Sequence, residues 1–155
     1  MPVEQNKVDV VIIGSGPSAT SVATNAAEMG KTVAMAEERQ FGGTCALRGC
    51  NPKKVYVNAG SLADQVRHAN GKLIQSERVS INWSDLHAFK QQFTKPVAEG
   101  KEESLAKQGI QPYHGTARFV DERSIQVGSD RLIAERIFVG VGSRPARLDI
   151  EGEEP

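Results

Sequence analysis

The chain of 155 residues has no long apolar run: its longest, Val10-Val11-Ile12-Ile13, falls far short of the roughly 20 residues that cross a bilayer. No membrane partner is expected. It has no excess charge either, since Lys plus Arg and Asp plus Glu both total 19. Balanced charge sets up no field to draw in nucleic acid or anionic lipid, so a small molecule is the expected partner. The opening residues, MPVEQNKVDV, hold neither an apolar stretch of signal-peptide length nor a small-residue cleavage pattern, which points to a cytoplasmic location. A lasting structural disulfide is unusual there. Metal ligands are scarce: two cysteines, Cys45 and Cys50, and three scattered histidines, His68, His87 and His114. A zinc site takes about four protein ligands when structural and three when catalytic, so no metal is expected. Repeats and low-complexity tracts are absent, and the length suits one domain with a real core.

What is present begins with a β-branched run, Val8 to Ile13, that reads as a buried central strand ending at Gly14. A glycine-rich turn follows, then an alanine-rich helical stretch from Ser18 to Met29 stopped by Gly30. Thr32 to Ala36 gives a second strand. The order strand, tight turn, helix, strand predicts an α/β fold with a parallel sheet and a right-handed crossover. Val55 to Ala69 reads as a helix with Val55, Ala59, Leu62 and Val66 on one face, ended by Asn70-Gly71. Ser84-Asp85 caps a polar helical segment running towards Gly109, with Pro96 as a break or kink. From Tyr113 to Gly142, GTARFV, SIQVG and RIFVGVG read as short strands, with Gly128-Ser129-Asp130 turning between the last two. The expectation is a small antiparallel meander whose last strand rejoins the main sheet.

Gly14-Ser15-Gly16-Pro17-Ser18-Ala19 fits the G-x-G-x-x-G/A dinucleotide fingerprint, after a strand and opening a helix. Gly14 permits the tight turn, Gly16 lets backbone approach a pyrophosphate, and the small Ala19 lets helix and strand pack closely. The helix N-terminus offers N–H groups and partial positive charge to that pyrophosphate. Glu37, at the end of the second strand and 23 residues beyond Gly14, is placed to accept the ribose hydroxyls of an adenosine. Its neighbour Glu38 reads as a solvated surface charge.

The cysteines lie in GGTCALRGCNPKK, Gly42 to Lys54. Glycines on both sides and two lysines beyond would favour thiolate, consistent with a redox pair; two inert buried thiols are the plain alternative. Residues five apart on an ideal helix have Cα atoms about 8 to 9 Å apart, beyond the ~7 Å limit for a disulfide. A bridge therefore needs a distorted helix start, which Gly49 and Pro52 are the residue types to allow.

Taken together, GSGPSA, VAMAE and GGTCALRGCNPKK resemble the N-terminal FAD-binding portion of the class I pyridine nucleotide-disulfide oxidoreductases, which include glutathione reductase, dihydrolipoamide dehydrogenase and mercuric reductase. Gly115-Thr116-Ala117 with Phe119 is similar to the family's adenine-contacting loop, and Val139-Gly140-Val141-Gly142-Ser143-Arg144-Pro145 to its A-T-G-S-R-P segment. The resemblance implies a Rossmann-like FAD domain over residues 1–150, with residues 151–155 opening a linker to an NAD(P)H-binding domain. It implies that Cys45 is the interchange thiol and Cys50 the thiol facing the flavin, with Lys54 as a charge partner beside the ring. Gly14, Ser15, Gly16, Pro17, Ser18, Gly43 and Thr44 would hold the FAD pyrophosphate and ribityl region, Glu37 the ribose, Thr116 and Ala117 the adenine, and Gly142 a backbone approach.

For the whole enzyme the resemblance implies an NAD(P)H-driven reduction of a small-molecule or protein disulfide, carried out as a homodimer. The chain alone should bind FAD weakly at most and should not turn over. There are departures from the pattern: Gly140-Val141 stands for Ala-Thr, which removes a side-chain hydroxyl at Val141, and Arg48 and Asn51 replace apolar residues. Arg48 either favours thiolate beside it or is a surface charge. None of the histidines has a matching context. The competing readings are a non-enzymatic flavin- or nucleotide-binding module and a flavin or NAD domain with incidental cysteines.

Overall fold

Residues 5–143, 146–147 and 149–152 are described by the structure, a computed structural model. Arg144 and Pro145 of the last motif, and the linker residues Glu153 to Pro155, lie outside the described residues. The opening strand β1 spans Gln5–Ile13 and is followed by helix α1, Pro17–Glu28, and strand β2, Val33–Glu37. Val33 to Ala36 are all buried, as a parallel strand covered on both faces requires. Two helices come next, α2 over Gly43–Leu47 and α3 over Cys50–Ala69, then a long α4 over Trp83–Lys107. Strands β3, Ile110–His114, β4, Ala117–Asp121, β5, Ser124–Val127, and β6, Asp130–Val139, complete the chain.

The strands form one sheet in the order β3-β2-β1-β6-β5-β4. Strands β1, β2, β3 and β6 are mutually parallel, while β4-β5-β6 is the expected antiparallel meander, joined to the parallel part through β6 on β1. Order reverses at β1: the chain moves outward to β2 and β3 on one side and returns on the other with β6. The ends of β1 and β6 thus flank the topological switch point, where open α/β sheets bind ligands. Ile12, Val33, Met35 and Ile110 pack with Ala19 and Ala23 of α1, Phe41 and Leu105 of α4 into one core. A second core gathers Val8, Val11, Ala34, Ala36, Ile125, Val127, Leu132 and Ala134.

Several sequence expectations need correcting. Ile110–His114 is a third parallel strand on β2, hidden from the pattern because Gln111, Pro112 and His114 break its apolar run. Strand β6 begins at Asp130, ahead of the RIFVGVG stretch, because DRLIAE pairs with both β5 and β1. Helix α3 starts at Cys50, not Val55, and its buried residues are Pro52 and Ala63, while Leu62 is 54% exposed. The cap of α4 is Asn82, whose side chain accepts from the amides of Ser84 and Asp85; those two residues lie inside the first turn. Helix α4 continues through Pro96 without a break.

Near the start of the parallel pair, Asp9 clamps β1 to the entry of β2. Its Oδ2 accepts from the Thr32 amide and hydroxyl, each at 2.7 Å, and the Asp9 amide donates to Thr32 Oγ1 at 2.8 Å. These hydrogen bonds, the Thr32 amide first, and the ammonium of Lys31 hold the Asp9 carboxyl below the ordinary aspartate value of 3.8.

Candidate active site

At the C-terminal end of β1 the chain makes a tight turn at Gly14, whose φ of +99° an L side chain would resist. The Gly14 amide donates to the Ala36 carbonyl at 2.7 Å, and the Gly140 amide donates to the Ile13 carbonyl at 2.8 Å. A Cβ built on Gly14 would overlap the Gly140 carbonyl oxygen, so β6 closes directly against the turn. Gly16 is the N-cap of α1 and has open space where a Cβ would stand. Pro17 occupies the first helical turn, no side chain caps the helix, and no acidic residue lies in that turn. Ser18 is exposed there. Such a helix start is left to satisfy an anion rather than its own side chains.

Glu37 stands beside this turn, and its carboxylate already takes three hydrogen bonds from the protein. Oε2 accepts from the Ser15 amide at 3.0 Å and the Ser15 hydroxyl at 2.7 Å, and Oε1 accepts from the Arg39 amide at 3.0 Å. An ionised carboxylate has about four lone-pair positions, so roughly one remains for a ligand hydroxyl in this arrangement. The sequence expectation that Glu37 is free for both ribose hydroxyls is narrowed accordingly. The Glu37 carbonyl in turn accepts from the Gly115 amide at 2.9 Å, which brings Thr116, exposed, and Ala117, half-buried at the start of β4, to the same end of the sheet. His114 lies between them, its ring edge-on to Phe41 at 5.1 Å and its Nε2 3.0 Å from Glu102 Oε1.

The cysteine loop is nested on the dinucleotide turn. Gly42, with φ of +127°, donates its buried amide to Ser15 Oγ at 3.0 Å. Gly43, with φ of +70°, lies so close that a Cβ there would overlap the Gly16 Cα. The paired glycines are the sequence signal for this close approach.

Cys45 sits in α2 and Cys50 opens α3, and they are joined as a disulfide with Cα atoms 4.6 Å apart. The distortion that the spacing requires is a complete break between two helices at Arg48 and Gly49. A Cβ on Gly49 would press to 3.1 Å on the Thr44 carbonyl, which accepts from the Arg48 amide at 2.8 Å and closes α2. Cys50 and Thr44 are exposed and Cys45 is half-buried. A joined pair with Cys50 exposed does not fit two inert buried thiols, the plain alternative.

Lys54, one turn into α3, is exposed and lines a groove of about 660 Å³ with Val55, Leu62, Leu86, Phe89 and Phe93. Gly142, with φ of +79°, is exposed and has open space around its Cα. His68 contacts Asp64, and His87 is held by Tyr56 and Gln91. No cluster of three metal-ligating side chains occurs among the described residues, and among them no helix is long and apolar enough to cross a membrane.

A sequence model of the family described as pyridine nucleotide-disulphide oxidoreductase matches residues 8–155. The chain belongs to this family. Among curated relatives, the chain is 30% identical over 145 residues to a dihydrolipoyl dehydrogenase of Bacillus subtilis (strain 168), covering 90% of this chain and 32% of that protein. It is 30% identical over 146 residues to a glutathione reductase of Nostoc sp. (strain PCC 7120 / SAG 25.82 / UTEX 2576), covering 94% of this chain and 32% of the relative. A dihydrolipoyl dehydrogenase 3 of Haloarcula marismortui is 30% identical over 152 residues, covering 90% of this chain and 31% of the relative. The chain thus spans about a third of the length of these proteins. The family is FAD-dependent and works with a pyridine nucleotide.

Proposed function

We propose that the protein supplies the FAD-binding and disulfide-bearing part of an NAD(P)H-dependent disulfide oxidoreductase. The observation that carries this reading is the Cys45–Cys50 disulfide, set against a dinucleotide turn by the contact of Gly43 on Gly16. The residues fit FAD: an uncapped helix start over an open Gly16 suits a pyrophosphate, and Glu37 retains a lone pair for a ribose hydroxyl. When bound, FAD supplies a two-electron carrier between reduced pyridine nucleotide and the disulfide.

In this reading Gly14, Gly16, Pro17, Ser18, Gly43 and Thr44 cradle the pyrophosphate and ribityl chain, and Ser15, expected from sequence to touch the pyrophosphate, lies buried beneath them with its polar groups already engaged. Thr116, Ala117 and Gly142 approach through their backbone, and Lys54 places positive charge near the ring. The Cys45–Cys50 bond breaks on taking up two electrons, leaving two sulfurs that share the incoming protons. Cys45 as thiolate attacks one sulfur of the acceptor disulfide, forming a mixed disulfide and releasing the first thiolate, which takes a proton. Cys50 as thiolate then attacks the Cys45 sulfur, restoring the intramolecular bond and releasing the second thiolate, which takes a proton. The acceptor is a small-molecule or protein disulfide, the reductant NADH or NADPH, and the whole protein acts as a cytoplasmic homodimer.

The test is a titration of the chain with FAD followed by dithiol reduction. A flavin spectrum that gains a long-wavelength band, lost in Cys50→Ser, supports the proposal. No saturable flavin binding even at ~1 mM FAD, or a band unchanged in Cys50→Ser, overturns it.

A further inference from the structure

The second position of the glycine fingerprint is commonly treated as a spacer, yet Ser15 is only 1% exposed and is among the few buried polar residues of those described. Each of its hydrogen-bonding groups is engaged. Its amide and hydroxyl both donate to Glu37 Oε2, at 3.0 and 2.7 Å, its hydroxyl accepts from the Gly42 amide at 3.0 Å, and its carbonyl accepts from Thr20 Oγ1 at 3.1 Å. A single hydroxyl therefore joins the acid at the end of β2 to the entry of the cysteine loop, segments 22 and 27 residues away in the chain. Buried donors and acceptors that lose such a partner are costly, and the geometry they hold is correspondingly well defined.

We propose that Ser15 is a positioning residue: its buried hydroxyl orients the Glu37 carboxylate for a ribose hydroxyl and fixes, through the Gly42 amide, the loop that carries Cys45 and Cys50. The first half rests on the FAD reading above; the second half needs no cofactor. With the hydroxyl gone, Glu37 keeps only the amide donors of Ser15 and Arg39 and no longer has one defined orientation. The Gly42 amide loses its acceptor, the stretch leading into α2 loosens, and the two sulfurs meet less often after reduction.

The test compares the chain with Ser15→Ala, Ser15→Thr, Glu37→Ala and the double variant Ser15→Ala/Glu37→Ala, by FAD fluorescence titration and by the equilibrium of the disulfide with dithiothreitol in the absence of FAD. Ser15→Ala is expected to weaken FAD binding about tenfold, the loss of one charge-assisted hydrogen bond. The double variant is expected to lose clearly less than the product of the two single losses, because Ser15 acts in part through Glu37. Ser15→Ala is also expected to be reduced at a several-fold lower dithiothreitol ratio, with Ser15→Thr recovering part of both effects. Losses of FAD affinity that multiply in the double variant, or a reduction equilibrium unchanged in Ser15→Ala, overturn the proposal. If the unsubstituted chain binds no FAD, the cofactor reading fails and the dithiothreitol equilibrium alone decides the role of Ser15.

Discussion

Gly140 and Ala19 meet so closely that a Cβ on Gly140 would stand 2.9 Å from the Cβ of Ala19. The contact pins the end of β6 to the first turn of α1 and leaves room for one methyl group, which this chain places on the helix. Gly140→Ala is expected to destabilise the fold by about 1 to 2 kcal/mol, overpacking outweighing the entropy gained from replacing glycine. Ala19→Gly added to Gly140→Ala should cost less than the sum of the two single changes, since the second relieves the contact made by the first. Urea unfolding of the two single variants and the double variant checks it, and simple additivity would show that the contact is not the cause.

Gly16 and Gly43 are expected to respond differently to the same substitution. Gly16 has an ordinary negative φ and open space, so Gly16→Ala should cost about 1 kcal/mol or less in stability while its methyl blocks the approach of a pyrophosphate and removes FAD binding. Gly43→Ala combines a positive φ with an overlap on the Gly16 backbone and should cost about 2 to 4 kcal/mol. Thermal unfolding beside FAD titration separates the two.

Reduction of Cys45–Cys50 opens a short loop, and the chain-entropy account gives about 2 kcal/mol for a closure of that size. The reduced chain and the Cys45→Ser/Cys50→Ser variant should therefore remain folded with similar, modestly lowered denaturation midpoints. Alkylation should find no free thiol before reduction and two after it. Thiols that label without reduction would show that the pair is not joined.

Asp9 should make stability depend on acid. Its folded-state pKa is lowered, so the unfolded chain binds the proton more readily, and the stabilisation is present above 3.8 and is lost as pH falls through the lowered folded value. Asp9→Asn should melt below the unsubstituted chain at neutral pH, and the gap should close in that acid window. Asp121, lowered chiefly by the Ser124 hydroxyl and then by the Arg123 amide, should act in the same direction. Melting curves collected between neutral pH and pH ~2 test both.

The first crossover was legible because β1 and β2 are continuous apolar runs separated by a glycine turn and an alanine-rich helix, patterns that local chemistry dictates. Strand β3 was not, because Gln111 and Pro112 disguise a strand whose place is set by pairing with β2. Helix α4 survives Pro96, and its cap lies at Asn82 ahead of the more obvious Ser84-Asp85. In the site, Gly14, Gly16, Glu37 and the two cysteines could be singled out from spacing, but not the occupancy of Glu37 by Ser15 and Arg39.

The amino-acid order by itself determined the elements whose causes are local: the dinucleotide turn, the acid ending β2, and a cysteine pair that could be bridged only across a broken helix. Tertiary structure alone decided that the break at Arg48 and Gly49 brings the two Cα atoms to 4.6 Å, and that Gly43 rests on Gly16 while Ser15 joins Glu37 to Gly42. The contacts of Gly43 on Gly16 and of Ser15 with Glu37 and Gly42 join segments more than twenty residues apart, and they form because β2 packs beside β1 and leaves no room for a side chain at Gly14 or Gly43.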